Sequence, residues 1–547
     1  MAAVLHTTLG SFAGKKGEGV TQYLGIKYAS VKDQLAGPEI VQMYGGGVVD
    51  ASRYGPRAPA MDGCTFEQTT LIQCEIGPAQ DEPDMSGTEC LNLNITVPDI
   101  ENAERLPVMV WIHGGGFIMG ANYWAQYDPS RLVKMSVELG MPVVVVGINY
   151  RLGVLGNLAS QELRDAGYLG NNSLRDQKCA LQWVKANIGM FGGDPENVTA
   201  FGESAGAASV LYQLHSKEPL FKRCISMSGT PIMLKPLPLP VAEMAYTSIL
   251  EAFGLENASA EERINKLKAV TPEKLVEKTP MSVPLSPISD GDILPRLSVP
   301  HLPSQGCGVV SGITTFANLG AMDHESLPGM SWCKELMIGD CQHDGNVFLF
   351  MSLAQRKAGI ANALSASLRA NLPASACDAV LQAYGIEPAS DDDKAMKLII
   401  DLGTDIAYAA PALAYARSFP GKTFYYQFNE PNPWDGVFKG NSTHMLDAAF
   451  LFQNFNNHMP SEAQEVAKGL AVDFVHFVHG KSPWVEYNQD QGRVRAYGPS
   501  DKKSTVEVVD KNGWGSGRRD ILWRLSEEGM VDLDQLSVAW DMFIAGR

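Results

Sequence analysis

A serine held between glycines, Gly202-Glu203-Ser204-Ala205-Gly206, is the segment of this chain best fitted to covalent chemistry. It follows Asn197-Val198-Thr199-Ala200-Phe201, which reads as a short buried strand. It runs into Ala205-Gly206-Ala207-Ala208-Ser209-Val210-Leu211, small and apolar enough to open a helix. A Gly-x-Ser-x-Gly turn between a strand and a helix holds the hydroxyl clear of the backbone. It also sets it beside a helix N-terminus, where amide dipoles favour developing negative charge. Such a hydroxyl is a weak nucleophile near neutral pH. A base, a group that orients the base, and donors for the oxyanion must therefore lie elsewhere in the chain.

The donors are the easiest to find. His113-Gly114-Gly115-Gly116-Phe117 follows the strand-like Val110-Trp111-Ile112. Consecutive glycines let backbone N–H groups turn toward an incoming carbonyl oxygen without Cβ interference. Two such amides plus that of Ala205 would form a three-donor hole, a pairing of Gly-rich loop and nucleophile turn known from lipases and esterases. In that arrangement the chain order is serine, acid, histidine. His301, His324 and His458 fall in polar loops, while His476 and His479 stand three apart on a segment that reads as a buried helix, where they pack. His444 lies in Asn441-Ser442-Thr443-His444-Met445-Leu446-Asp447, beyond the apolar run Thr423–Phe428, where a base would project over the serine. The acid belongs on the loop after Glu335-Leu336-Met337-Ile338-Gly339. Asp340 and Asp344 both qualify there, and both also suit ordinary turn chemistry.

These parts need a scaffold. Apolar runs alternate with amphipathic stretches, as in a mostly parallel sheet covered on both faces. The expected core strands are Pro107–Ile112, Pro142–Ile148, Val198–Phe201, Arg223–Met227, Glu335–Ile338 and Thr423–Phe428. Over Asp176 to Phe191, the residues Ala180, Leu181, Val184 and Ile188 repeat at helical spacing, and Gly192-Gly193-Asp194-Pro195 stops that helix. The stretch from about Pro231 to Met330, rich in Pro, Ser and Met, breaks the rhythm. It carries helical patterns near Met244–Phe253 and Ala260–Lys268, and it is where a cap over the site would be built.

With 547 residues the chain is long enough for roughly three or four domains. No Pro/Gly/Ser-rich linker, low-complexity tract or internal repeat divides it, so one domain with long excursions is expected. A net charge of −17 and a pI near 5.1 argue against phosphate backbones and anionic membrane surfaces as partners. The longest apolar run, Met141 to Ile148, is far short of a membrane span. Met1 to Leu9 lacks the basic and apolar regions of a secretory signal. Nine cysteines at irregular spacings, none in a metal-like pair of pairs, fit a reduced, cytoplasmic chain with no metal and no cofactor.

Taken together, Glu89-Cys90-Leu91-Asn92-Leu93-Asn94-Ile95, the HGGGF loop, Asn149-Tyr150-Arg151-Leu152-Gly153, Asn171-Asn172-Ser173-Leu174-Arg175-Asp176-Gln177 and the GESAG turn resemble the type-B carboxylesterase family, which includes the cholinesterases and large fungal lipases. The resemblance spans nearly the whole chain, and Pro287-Ile288-Ser289-Asp290-Gly291 is similar to the family's turn ahead of the acid strand. It implies the α/β-hydrolase fold: one domain over residues 1–547, a central mostly parallel twisted sheet flanked by helices, and a cap-like excursion at about 231–330. The family's acid directly precedes a glycine with Phe close behind, so Asp344-Gly345-Asn346-Val347-Phe348 favours Asp344 over Asp340. His444-Met445-Leu446-Asp447 resembles the segment around the family's histidine. The likeness assigns the oxyanion amides to Gly115, Gly116 and Ala205, and makes Arg151 and Asp176 a structural ion pair.

Three departures stand out. Ala58-Pro59-Ala60 occupies the place of the cysteine that would bridge to Cys90, leaving Cys64 or Cys74 as substitutes or no bridge at all. Gln34-Leu35 replaces an Arg-Phe pair, removing the usual partner of Glu89. Asp290 to Asp344 is longer than usual, with extra residues around Gly306 to Met330. The segment between Cys64 and Cys90, a lid in the fungal lipases, carries Asp62, Glu67, Glu75, Asp81, Glu82 and Asp84, and is poorly suited to meeting a lipid surface. The expected activity is hydrolysis of a small to medium, fairly apolar soluble ester through Ser204, His444 and Asp344, without stable membrane association. An acyl transfer or lactone chemistry with the same triad is the alternative, and a non-catalytic interaction protein is the more distant one.

Overall fold

The apolar runs marked out above lie side by side in one sheet. The structure, a computed structural model, describes residues 3–77, 82–101, 105–295, 314–320, 327–502, 506–509 and 517–547. In chain order the strands along the main path of the sheet are β1 (Ala3–His6), β2 (Ser11–Lys16), β3 (Val20–Lys27), β4 (Asn92–Pro98), β5 (Leu106–Ile112), β6 (Val144–Ile148), β7 (Gly193–Glu203), β8 (Arg223–Met227), β9 (Glu335–Cys341), β10 (Lys422–Phe428), β11 (Val494–Tyr497) and β12 (Val506–Val509), with the short strand Val48–Ala51 paired beside β2 off this path. Their order across the sheet is β1-β2-β3-β4-β6-β5-β7-β8-β9-β10-β11-β12. From β6 to β11 every neighbouring pair is parallel, and the flanking pairs are antiparallel. The chain crosses over between β5, β6 and β7, so β7, which ends at the Ser204 turn, lies beside β5, which leads into the Gly-rich loop.

Both faces of this sheet are buried, which explains strands that are continuously apolar rather than alternating. Val108, Val110 and Ile112 of β5 join one core cluster, with Ala200, Cys224, Leu336 and Tyr425. Met109 and Trp111, one residue out of phase, join the other, with Phe201, Ile225, Met337 and Phe424. Helix α1 (Asn172–Asn187) covers the first face with Leu174, Ala180, Leu181, Trp183 and Val184. Helix α6 (Ser461–Val478) covers the second with Val466, Leu470, Phe474 and Phe477. Each such side chain contributes about 1.5–3 kcal/mol of burial, and it is this two-sided packing that fixes the strand ends.

The excursion is helical: α3 (Leu239–Ala252), α4 (Ala260–Ala269) and α5 (Pro272–Lys278). Ser259 and Glu262 close a reciprocal capping box at the start of α4. Ile249, Leu250, Ile264, Leu267 and Leu275 form a separate small core against Leu155 and Leu158. Residues 296–313 and 321–326, where most of the expected lengthening falls, lie outside the described residues.

Several expectations shift. Strand β7 begins at Gly193 rather than Val198, with a register shift against β5 between these residues, so Gly193 to Asn197 extend the strand instead of merely stopping a helix. Helix α1 starts four residues earlier than its periodicity marks, at Asn172, and its last turn tightens over Ile188–Phe191 before Gly192 ends it at φ 84°. The segment Asp392–Ser418 is long and apolar enough to cross a membrane by length and composition, yet 83% of its most apolar window is buried inside the fold. Cys64, Cys74 and Cys90 are free thiols, so neither substitute bridge forms. Glu89 is not left alone either, because Lys27 stands 2.6 Å away.

Arg151 and Asp176 brace the sheet from within. Both are fully buried, joined at 2.7 Å, and the guanidinium also donates to the Gln34 and Ala36 carbonyls. Each of the three guanidinium nitrogens is thereby engaged. That is the condition under which a buried pair repays its desolvation.

Candidate active site

Ser204 stands between the end of β7 and helix α2 (Ala205–Tyr212), with φ 56° and ψ −122°. A non-glycine residue there stores about 1–3 kcal/mol of backbone strain, which the surrounding contacts must hold in place. The turn closes so tightly that a Cβ at Gly206 would sit inside the Ile112 carbonyl, and one at Gly202 would come within 2.5 Å of the Gly206 backbone. This is the physical content of the flanking glycines. The Ser204 amide donates to the Met227 carbonyl at 2.9 Å, tying the turn to β8.

The Gly-rich loop faces the same point from the end of β5. Gly115 (φ 94°) and Gly116 (φ 62°) adopt left-handed conformations, and their N–H groups make no hydrogen bond among the described residues. Ala205, first residue of α2, presents the third amide of the expected set. The loop is stiffened behind. The Gly115 carbonyl accepts from the Ile118 and Met119 amides, the Phe117 carbonyl accepts from Gly153, and His113 stacks on Tyr150 with ring centres 4.4 Å apart. Burial pushes His113 down to about 4, so it is neutral and structural.

Asp344 and His444 reach each other across 100 residues of sequence, on the loops after β9 and β10. Nδ1 of His444 lies 2.8 Å from Asp344 Oδ1, the geometry of an imidazole N–H donating to a carboxylate. Asp344 Oδ2 accepts from the Cys341 amide at 2.7 Å and from the Ser228 hydroxyl at 3.0 Å. The two loops are zipped together, since the His343 amide donates to the Ser442 carbonyl and the His444 amide to Asn346 Oδ1. Asp340, the competing carboxylate, points away: it takes the Tyr425 hydroxyl at 2.7 Å and Arg519 Nε at 2.5 Å. His476 and His479 sit at the end of α6, where His479 Nε2 meets the Met141 carbonyl at 3.1 Å.

The other imidazole nitrogen meets a group that sequence reasoning left without a role. His444 Nε2 stands 3.1 Å from Glu203 Oε1, while neither Glu203 oxygen completes a directed hydrogen bond. No hydrogen bond joins the Ser204 hydroxyl to the ring in this arrangement. Glu203 is fully buried, and desolvation, then Asp447, Glu67 and Asp344, push its carboxyl well above the usual range. Asp447, held by the Tyr426 hydroxyl at 2.7 Å, is raised to about 6 by burial and by Asp344. Glu67, counted above with the polar residues of the lid segment, is 4% exposed and faces inward, whereas Asp62, Glu75, Glu82 and Asp84 face solvent and Asp81 lies outside the described residues. Its neighbours exclude water, and burial raises it to about 7.

Ser228, Glu203 and Glu67 were thus missed as members of the site. Glu203 had one visible signal, a carboxylate directly preceding the nucleophile. Ser228 and Glu67 had none. Among the described residues no group of His, Cys, Asp and Glu has the arrangement of a metal site. An apolar hollow adjoins the loop, lined by Ile118, Met119, Leu152, Leu275, Met281 and Val283 among others.

Known proteins share this layout. The model of the carboxylesterase family matches residues 1–506. Para-nitrobenzyl esterase of Bacillus subtilis (strain 168) is 29% identical over 517 residues, which cover 89% of this chain and 93% of that protein. Lipase 4 of Diutina rugosa is 36% identical over 203 residues, a match of 36% of this chain and 36% of the lipase. A solved PNB esterase structure superposes with a TM-score of 0.72 at 23% identity, over 95% of this chain and 99% of the other.

Proposed function

Because the chain belongs to the carboxylesterase family and hydrolyses carboxylic esters, we propose that it does so through Ser204, His444 and Asp344. Ser204 Oγ attacks the ester carbonyl while His444 Nε2 takes its proton. Asp344 holds Nδ1 and stabilises the imidazolium that forms. The amides of Gly115, Gly116 and Ala205 receive the oxyanion, each worth on the order of 10²–10³ in kcat. The alcohol leaves with the proton from His444, and water resolves the acyl-enzyme by the same steps in reverse order. The observation that carries this reading is the 2.8 Å contact between Asp344 and His444 beside a strained serine turn.

In the resting arrangement Nε2 stands 3.1 Å from Glu203 Oε1 with no directed hydrogen bond to it or to Ser204. Catalytic hydrogen bonds of this kind commonly tighten only in the complex. The apolar hollow beside Ile118 and Met119 supports a fairly apolar, soluble ester. A fluorescent organophosphonate tests the reading directly. It should label the wild type covalently, and Ser204→Ala should abolish both labelling and turnover while the protein still melts cooperatively. Burst kinetics retained by Ser204→Ala would exclude it as nucleophile.

A further inference from the structure

Glu67 belongs to the short segment Cys64–Ile72, a turn of helix that widens over Glu67–Ile72. Cys64, Glu67, Gln68, Leu71 and Ile72 point inward, while Thr65 and Thr69 face solvent. An inward position flanked by Leu and Ile would pack most favourably with another apolar side chain, since burying a carboxyl costs its hydration. The fold nevertheless equips it with donors. The Tyr127 hydroxyl lies 2.6 Å and Gln126 Nε2 2.7 Å from Glu67 Oε2. Among the described residues no Lys or Arg pairs with it. The widened turn Glu67–Ile72 packs against Leu446–Leu451, the helix that directly follows His444. The other titratable groups around Glu67 are Cys64 on its own segment, Tyr127 on the facing turn and Glu203 at the end of β7.

What brings Glu67 there is the seating of the segment. Gln68 Nε2 donates to Gln126 Oε1 at 2.8 Å. At the other end the Ile72 carbonyl accepts from Asn432, and Gln73 Oε1 accepts from the Phe438 amide at 2.7 Å. Phe66 packs edge-on against Phe350, and Phe350 against Phe438. Phe350 follows the Asp344 loop, and residues 432–438 lead into the His444 loop. The segment is therefore docked on the two loops that carry the acid and the base.

We propose that Glu67 is a positioning residue through which seating of the 64–72 segment governs the proton-transfer step: its carboxylate faces the buried His444 environment only when the segment is docked, and there it favours the imidazolium formed as Ser204 attacks. This rests on the Ser204–His444–Asp344 reading above. The chemistry is mutual, since a charge on either group stabilises the opposite charge on the other. The interior between them is water-poor, so the attraction is weakly screened.

The test compares wild type with Glu67→Gln on p-nitrophenyl butyrate, measuring kcat and KM from about pH 5.5 to 8.5. Glutamine keeps the size and can still accept from Tyr127. Because burial places Glu67 at about 7, the two proteins should have equal kcat below about pH 6. Wild type should be about tenfold faster above about pH 8, with KM unchanged. Gln73→Ala, which loosens the docking without touching Glu67, should lose the same pH-dependent advantage. A ratio that is constant across pH would mark Glu67 as merely structural and overturn the proposal, as would equal rates throughout. A Gln73→Ala enzyme with the wild-type profile would overturn the link to docking. Failure of the organophosphonate to label Ser204 in wild type would instead sink the underlying triad, so the two failures are distinguishable.

Discussion

Asp344→Asn changes one atom of the acid and leaves its surroundings intact. Oδ2 accepts from the Cys341 amide at 2.7 Å and the Ser228 hydroxyl at 3.0 Å. The backbone N–H cannot rotate away, so the single oxygen of the carboxamide must stay on that side. Its NH₂ then faces His444 Nδ1, which has to become the acceptor, and the ring proton moves to Nε2. An imidazole protonated at Nε2 cannot take the proton of Ser204. In a Ser-His-Asp protease the equivalent tautomer error costs about 10⁴ in kcat, roughly 5.5 kcal/mol of transition-state stabilisation. The same magnitude is expected here, with KM changed by less than about twofold because no group that binds substrate is lost. Hydrolysis of p-nitrophenyl butyrate near pH 8 measures it, and thermal unfolding confirms that the fold survives. Asp340→Asn is the control. It breaks the buried contact with Arg519 and should cost about 3–5 kcal/mol of stability, with kcat of the folded fraction largely kept. An Asp344→Asn enzyme retaining more than about a tenth of wild-type kcat would refute the tautomer argument. If Asp340→Asn were the more damaging to kcat, the acid would be misassigned.

Other outcomes follow from the buried charges. Asp176→Asn leaves the fully buried Arg151 guanidinium without its counter-charge, and urea unfolding should show a loss of about 3–5 kcal/mol; a loss below about 1 kcal/mol would mean that the carbonyls of Gln34 and Ala36 suffice. Asp447 is raised to about 6 by burial first and Asp344 second, so the folded state binds more protons than the unfolded chain between about pH 4 and 6 and loses stability as pH rises through that window. Asp447→Asn removes this penalty, worth up to about 3 kcal/mol. Its melting temperature relative to wild type should climb between about pH 4 and 6 and level off above, and a pH-independent difference would contradict the sign.

The parts of the site that were legible in the sequence are those whose geometry is local. Gly202 is dictated by a backbone contact spanning five residues, and Gly115 and Gly116 by two consecutive left-handed conformations. The strands were legible for a similar reason: burial on both faces leaves an unbroken apolar run wherever the sheet passes. Composition alone could not choose between Asp340 and Asp344, because each is an Asp at the end of the same strand. The family likeness favours Asp344, and in the fold the placement of Arg519, 179 residues from Asp340, and of His444, 100 residues from Asp344, separates them. Glu67 was misread for the complementary reason. Charge in a sequence suggests solvent, yet helical spacing with Cys64 and Leu71 turns this one inward, onto loops far along the chain. Sequence by itself determined the Gly202–Gly206 turn, the His113–Phe117 loop and the sheet that carries them, since these depend on glycine conformations or on hydrophobic pattern. Tertiary structure decided which carboxyl meets the His444 ring, and which others surround it in a water-poor interior. Both depend on distances between remote segments and on the exclusion of solvent by the packed whole.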